Sequence, residues 1–179
     1  AAELALRSLG ANTSVSLSAA WADLSVSHFK GFASLLPYPA DAENMIWAYD
    51  DFTGLQGTPV ATEIYHSVRS MQAAARSVAL DPNNDYGVAL YAAANLRREN
   101  RADTAGVTDP VYGDQNRSPQ FYATAFGTSI GQQVLAMGLG QNDTALIRDA
   151  LAALAITTGD MGLFSGEQFG GPLRQALRY

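Results

Sequence analysis

Apolar residues recur along most of this chain at steps of three and four, the period of one helix face, and the pattern predicts a succession of helices. Between Val15 and Leu36 the residues Leu17, Trp21, Leu24, Phe29, Phe32 and Leu36 keep mostly to that period until Pro37 and Pro39 end it. Asp41 is placed to cap a short helix carrying Met45, Ile46 and Tyr49, after which Gly54 and Gly57 punctuate the chain. The clearest stripe is Val60, Ile64, Val68, Met71, Ala75 and Val78, introduced by Thr58 as N-cap and Pro59 as first helical residue. Thr62, His66, Arg69 and Arg76 share its opposite face. Asp81-Pro82-Asn83-Asn84 reads as a turn, and Gly87–Asn100 as a helix with Leu90, Tyr91 and Ala94 inward.

Residues 101–117 are rich in Gly, Asp, Thr, Pro and Asn and predict a long loop, of a length that in compact domains is usually functional or disordered. Ser118-Pro119 repeats the cap-plus-proline start, and Tyr122, Phe126, Ile130, Val134 and Met137 form the next stripe. Gly127 and Gly131 lie one turn apart there, which suits close approach by a neighbour. Asn142 is expected to cap a helix from Thr144 to Thr158 with Ile147, Leu151 and Leu154 inward and Gly159 as C-cap. Short helices are expected over Ala1–Leu9, ended by Gly10, and over Pro172–Tyr179; only Val111–Tyr112 and Ser14–Leu17 suit a short strand. The expected fold class is therefore all-α: a single α-helical domain over residues 1–179, a multi-helix bundle of about six helices with one long loop near 101–117.

Composition changes this picture in three places. Hydrophobic residues make up 47% and charged residues 16%, a charge fraction below the usual quarter, which points to surface covered by a partner. The net charge of −6 excludes a general polyanion-coating protein but leaves room for a local basic cluster. The absence of cysteine excludes disulfides, thiolate zinc sites, iron–sulfur clusters and thiol nucleophiles. No apolar run approaches the ~18 residues of a membrane span, and no basic-then-apolar signal segment opens the chain, so a soluble protein with no membrane partner is expected.

Four local patterns carry candidate chemistry. Gly127-Thr128-Ser129-Ile130-Gly131 matches the nucleophile-elbow spacing, yet it falls in a helical stripe and no histidine follows it. Asp81-Pro82-Asn83-Asn84-Asp85 begins like a calcium loop, but Tyr86 stands where glycine is needed and Ala92 where the bidentate glutamate belongs. Glu63 and His66, with Asp50 and Asp51 on the preceding segment, could build a general acid–base site for a hydrolase. Finally Arg97, Arg98 and Arg101, with Arg117 across the loop, gather four of the ten arginines. Guanidinium forks match phosphate oxygens, which makes this the candidate nucleic-acid-binding cluster; arginines near a helix C-terminus also complement its dipole. No cofactor or metal is expected.

Three pieces, in the same order, resemble the coat protein of tobamoviruses, the rod-shaped plant viruses: Ser16-Leu17-Ser18-Ala19-Ala20-Trp21-Ala22-Asp23, then Leu80-Asp81-Pro82 with the helix and arginines that follow, then Asn142-Asp143-Thr144-Ala145-Leu146-Ile147-Arg148-Asp149-Ala150-Leu151. The resemblance spans about a fifth of the chain, and the Ser118–Leu139 segment stands as an insertion relative to it. It implies an α-helical bundle that stacks into a rod around single-stranded RNA, with Arg97, Arg98 and Arg101 matching the RNA-contacting segment. The functional expectation is a self-assembling structural subunit, a virion coat protein in its specific form, whose partners are copies of itself and single-stranded RNA. A helical ligand- or protein-binding module and a carboxylate/histidine hydrolase are the alternatives.

Overall fold

The computed structural model describes residues 16–113, 119–157 and 175–176. Among these residues the order is α1 (Leu17–Phe29), a 3-10 turn (Ala33–Leu35), β1 (Glu43–Asp50), β2 (Gly54–Ala61), α2 (Thr62–Leu80), α3 (Asp85–Ala105), α4 (Pro119–Gly140) and α5 (Thr144–Thr157). The all-α, roughly six-helix expectation is thus corrected to five helices plus a two-stranded antiparallel sheet. The segment expected to be a short helix after Asp41 is strand β1, paired with β2 from Glu43↔Ala61 to Asp50↔Gly54. Thr58 and Pro59 belong to β2 and do not start a helix. A two-stranded ribbon tolerates Pro59 because each strand has an edge at which no N–H is required.

Helices α1 and α2 run antiparallel along a seam of small residues. Ser18 and Ser77 exchange hydroxyl-to-carbonyl hydrogen bonds of 3.0 and 2.7 Å, and Ser25 and Ser70 do the same at 2.9 and 3.0 Å. Each serine pair lies two turns from the next, so the rungs fall on one stripe of each helix. Such short side chains let the backbones approach, and each of these four hydroxyls has a partner. Asn84 closes the seam by donating to Ser77 Oγ at 2.9 Å while accepting from the Gly87 N–H at 3.0 Å as the N-cap of α3. At Gly87 a Cβ atom would come within 2.9 Å of a Val78 methyl, so this turn requires glycine.

Helix α3 continues through Arg101 to Ala105 and ends at Gly106 in the left-handed conformation, φ 66°. The long loop expected from residue 101 therefore begins at 106, because helix-neutral residues 101–105 extend a helix already anchored by packing. Val111 and Tyr112 lie in a turn, not a strand. Helix α4 is broken at Gly127, φ 74° and ψ −179°, so the nucleophile-elbow match sits on a helix-to-helix break with no strand before it. Asp143, not Asn142, caps α5: its carboxylate accepts from the Leu146 N–H at 3.1 Å. Leu154 packs where a Cβ on Gly131 would lie 2.9 Å away, the close approach expected of that glycine.

The main core unites α3, α4 and α5 around Ala93, Leu96, Val134, Leu135, Leu146, Ile147 and Leu154. Tyr112 links it to a second cluster beneath the hairpin, Ile46, Val60, Ile64, Tyr65 and Val68. The inward face of α2 is Ile64, Val68, Met71, Ala74 and Ser77; Ala75 is exposed. The expected helices at Ala1–Leu9 and over most of Pro172–Tyr179, the Gly159 cap and the Tyr122 and Phe126 side chains lie outside the described residues.

Candidate functional site

The arginine cluster divides into interior and surface members. Arg97 is 4% exposed; its Nε donates to Asp143 at 2.7 Å, its Nη1 donates to the Phe29 carbonyl at 2.5 Å, and its guanidinium lies 3.7 Å from the Phe29 ring centroid. One side chain on α3 thereby ties the C-terminus of α1 to the cap of α5. Burial pulls the Arg97 pKa below its usual value, Asp143 opposes that shift, and the nearby Arg101 adds to it.

Arg98, 2% exposed, pairs with Asp109 at 2.8 Å, donates to Asn95 Oδ1 from Nε and Nη2 at 3.1 and 2.9 Å, and reaches the Gly113 carbonyl at 3.3 Å. Asp109 in turn accepts from the Val111 N–H at 2.8 Å. Arg98 therefore fastens the 106–113 loop to α3. Arg101 alone of the three α3 arginines is exposed, and Arg117 lies outside the described residues.

Arg101 lines a cleft of about 680 Å³ with Lys30, Glu63, Asn100, Thr104 and Thr144, bounded beneath by the Arg97–Asp143 pair. Its lining is mixed, with Arg101 and Lys30 as exposed cations and Glu63 as an exposed carboxylate. A neighbouring groove of about 490 Å³ is mostly apolar: Val26, Phe29, Leu90, Ala136 and Met137, with Tyr86 and Lys30 at its margins. Phe29, Lys30 and Gln141 form the wall the two concavities share.

The expected acid–base grouping does not assemble as one site. His66 faces His28, Nδ1 to Nδ1 at 3.2 Å, while Glu63 lines the cleft. Burial, assisted by Arg69 and then His66, lowers the His28 pKa to about 4; burial and then Arg101 lower that of His66. Asp50 is at the hairpin turn, where its Oδ1 accepts from the N–H groups of Phe52 and Thr53 and the Thr53 hydroxyl at 2.9, 3.1 and 3.1 Å. These bonds hold its carboxyl below the usual carboxylate range. Among the described residues no three His, Asp or Glu side chains could hold a metal together. Asp81 and Asn84 likewise serve the turn and cap.

The feature that the helical period conceals is the hairpin's outer face. Asn44, Ile46 and Val60 point inward, so alternation sends Met45, Trp47 and Tyr49 of β1 and Leu55, Gly57 and Pro59 of β2 outward. All are exposed, Trp47 at 59% and Tyr49 at 73%. The Trp47 ring lies across Gly57, where a Cβ would come within 2.9 Å of it. Phe52 at the tip is 97% exposed. Ile, Trp and Tyr are strand formers, and their gathering at positions 46, 47 and 49 is the signal the sequence offers. No protein-family model, curated protein or solved structure matches this chain.

Proposed function

We propose that this chain is a self-assembling structural subunit, of the coat-protein kind, that packs against copies of itself through the β1–β2 hairpin and contacts single-stranded RNA at the cleft beside Arg101. The observation that carries the reading is the hairpin's contiguous apolar outer face, left open to solvent in the single chain. Contiguous apolar patches of this kind mark interaction surfaces, and aromatic residues supply most of the energy of such contacts. Among the described residues the ribbon also has no third strand, which leaves its edges open for pairing.

The RNA contact rests on Arg101 and Lys30 beside hydrogen-bonding Asn100, Thr104 and Thr144 in one cleft. A local cationic site of this kind serves a chain of net charge −6, since it needs only a few phosphates neutralised. Arg97 and Arg98 keep the cleft and the adjoining loop in shape, with Arg97 donating from Nε and Nη1 and Arg98 from all three nitrogens to protein acceptors.

Sedimentation velocity and electron microscopy of the purified chain across pH and ionic strength test the assembly. Concentration-dependent particles are expected, and a strict monomer under every condition overturns it. For RNA, Arg101→Ala is expected to lower filter retention of a single-stranded homopolymer and to reduce the salt slope by about one, with an unchanged melting temperature. Retention equal to that of the unsubstituted chain overturns the RNA contact.

A further inference from the structure

The hairpin tip and the apolar groove have complementary chemistry. Phe52 projects fully from a turn in which Asp50 binds two backbone N–H groups and one hydroxyl, so the knob is held in shape before any partner arrives. Asp50 and Asp51, the two residues before Phe52, are exposed carboxylates of the same turn. The groove between α1, α3 and α4 offers the reverse: an apolar floor with Lys30 at one end. Its volume of about 490 Å³ lies within the ~300–1,000 Å³ range of pockets that take small ligands, which leaves room for an aromatic ring. The groove's nearest acid on α1 is Asp23, two turns before Lys30 and so at the other end.

Resting on the assembly reading above, we propose that the Phe52 knob of one copy inserts into the Val26–Leu90–Met137 groove of the next, with Asp50 and Asp51 set against Lys30. Knob and groove are different surfaces of one chain. Two copies that exchange both contacts close as a two-fold dimer, whereas a contact made in one direction only is heterologous and repeats into a ring or an open helical array. The outer face of the hairpin, Met45, Trp47 and Tyr49, then covers the neighbour's surface around the inserted tip.

Two full-length variants separate this arrangement from others. Phe52→Ser removes the knob and leaves the groove; Ala136→Arg fills the groove from an exposed helix position and leaves the knob. Each alone is expected to raise the concentration of half-association at least about tenfold, as loss of an anchoring contact does. An equimolar mixture of the two is expected to form dimers and stop there, because one intact knob meets one intact groove. Wild-type assembly with Ala136→Arg assembling equally well overturns the knob-in-groove contact while leaving the assembly reading intact, and favours hairpin-to-hairpin packing. A wild-type chain that stays monomeric sinks both. A Phe52→Ser chain that assembles normally, with Ala136→Arg melting well below wild type, means that the chain's own terminal segment fills the groove, and also overturns the proposal. Circular dichroism of both variants establishes that they fold.

Discussion

Acidification offers a sharp test of the α1–α2 seam, because the His28–His66 contact requires one ring nitrogen to donate and the other to accept. Two imidazolium rings 3.2 Å apart at Nδ1 would present two donors to each other. His28 is buried, with Tyr65, His66 and Arg69 of α2 around it and Arg101 of α3 acting on His66, so among the described residues no carboxylate compensates a second charge. Its pKa of about 4 in the folded chain lies below the ordinary 6.5. Above pH 6.5 both folded and unfolded forms carry neutral His28, and the stability is fully present. As pH falls below 6.5 the unfolded chain takes the proton first, and stability is lost until the folded group also titrates near pH 4. At about 1.4 kcal/mol per pH unit the loss reaches ~2 kcal/mol by pH 5 and ~3 kcal/mol at its limit. His66 adds loss in the same direction.

Urea unfolding at pH 7 and pH 5, for wild type and His28→Gln, isolates this contribution from that of the carboxylates, which both chains share. Wild type is expected to lose ~2 kcal/mol more than the variant over that interval, since glutamine keeps a hydrogen-bonding group but binds no proton. Equal losses in the two chains would refute the reasoning. A monomeric concentration, fixed by sedimentation at each pH, keeps assembly from contributing to the measured stability.

Arg98→Met is expected to cost about 3–5 kcal/mol in urea unfolding, because it strands the fully buried Asp109 carboxylate, and to raise proteolysis within 106–113 before the rest of the chain; an unchanged midpoint would remove Arg98 from its loop-fastening role. Gln132 is buried, and both polar atoms of its amide lack a hydrogen-bond partner among the described residues, so Gln132→Leu is expected to stabilise the chain by about 1–3 kcal/mol, and a lower melting temperature would contradict this. Gly131→Ala drives a methyl to 2.9 Å from Leu154 and is expected to cost about 1–3 kcal/mol, read by the same unfolding curve; a neutral result would mean α5 shifts freely against α4.

The helices were legible wherever burial follows a 3.6-residue period, as at Ile64, Val68 and Met71, or Ile147 and Leu154. Their ends were less so. Thr58-Pro59 has the sequence of a helix start but lies in β2, because pairing with Met45 and Ile46 outweighs a local cap preference. The four arginines were legible as a cluster in sequence, yet burial separates the three on α3: Arg97 and Arg98 point into acceptors on three other segments, contacts that no spacing along α3 encodes. The serine rungs at 18, 25, 70 and 77 have a regular two-turn spacing, but serine carries no apolar signal, so a hydrophobic stripe passes over them.

The hairpin was missed for a reason that bears on what the chain does. A half-buried strand announces itself by alternating apolar and polar residues. In β1 the inward positions are Asn44 and Ile46, and the outward ones are Met45, Trp47 and Tyr49, so the alternation is absent and in part reversed. A strand reads this way when its second face also has to be covered. The pattern that hides the strand from a period-based reading is therefore the same one that supports the contact surface proposed for its outer face. The low charge fraction of the whole chain points the same way, and so does the tip, where Phe52 is held outward by the Asp50 turn instead of folding back onto the helices.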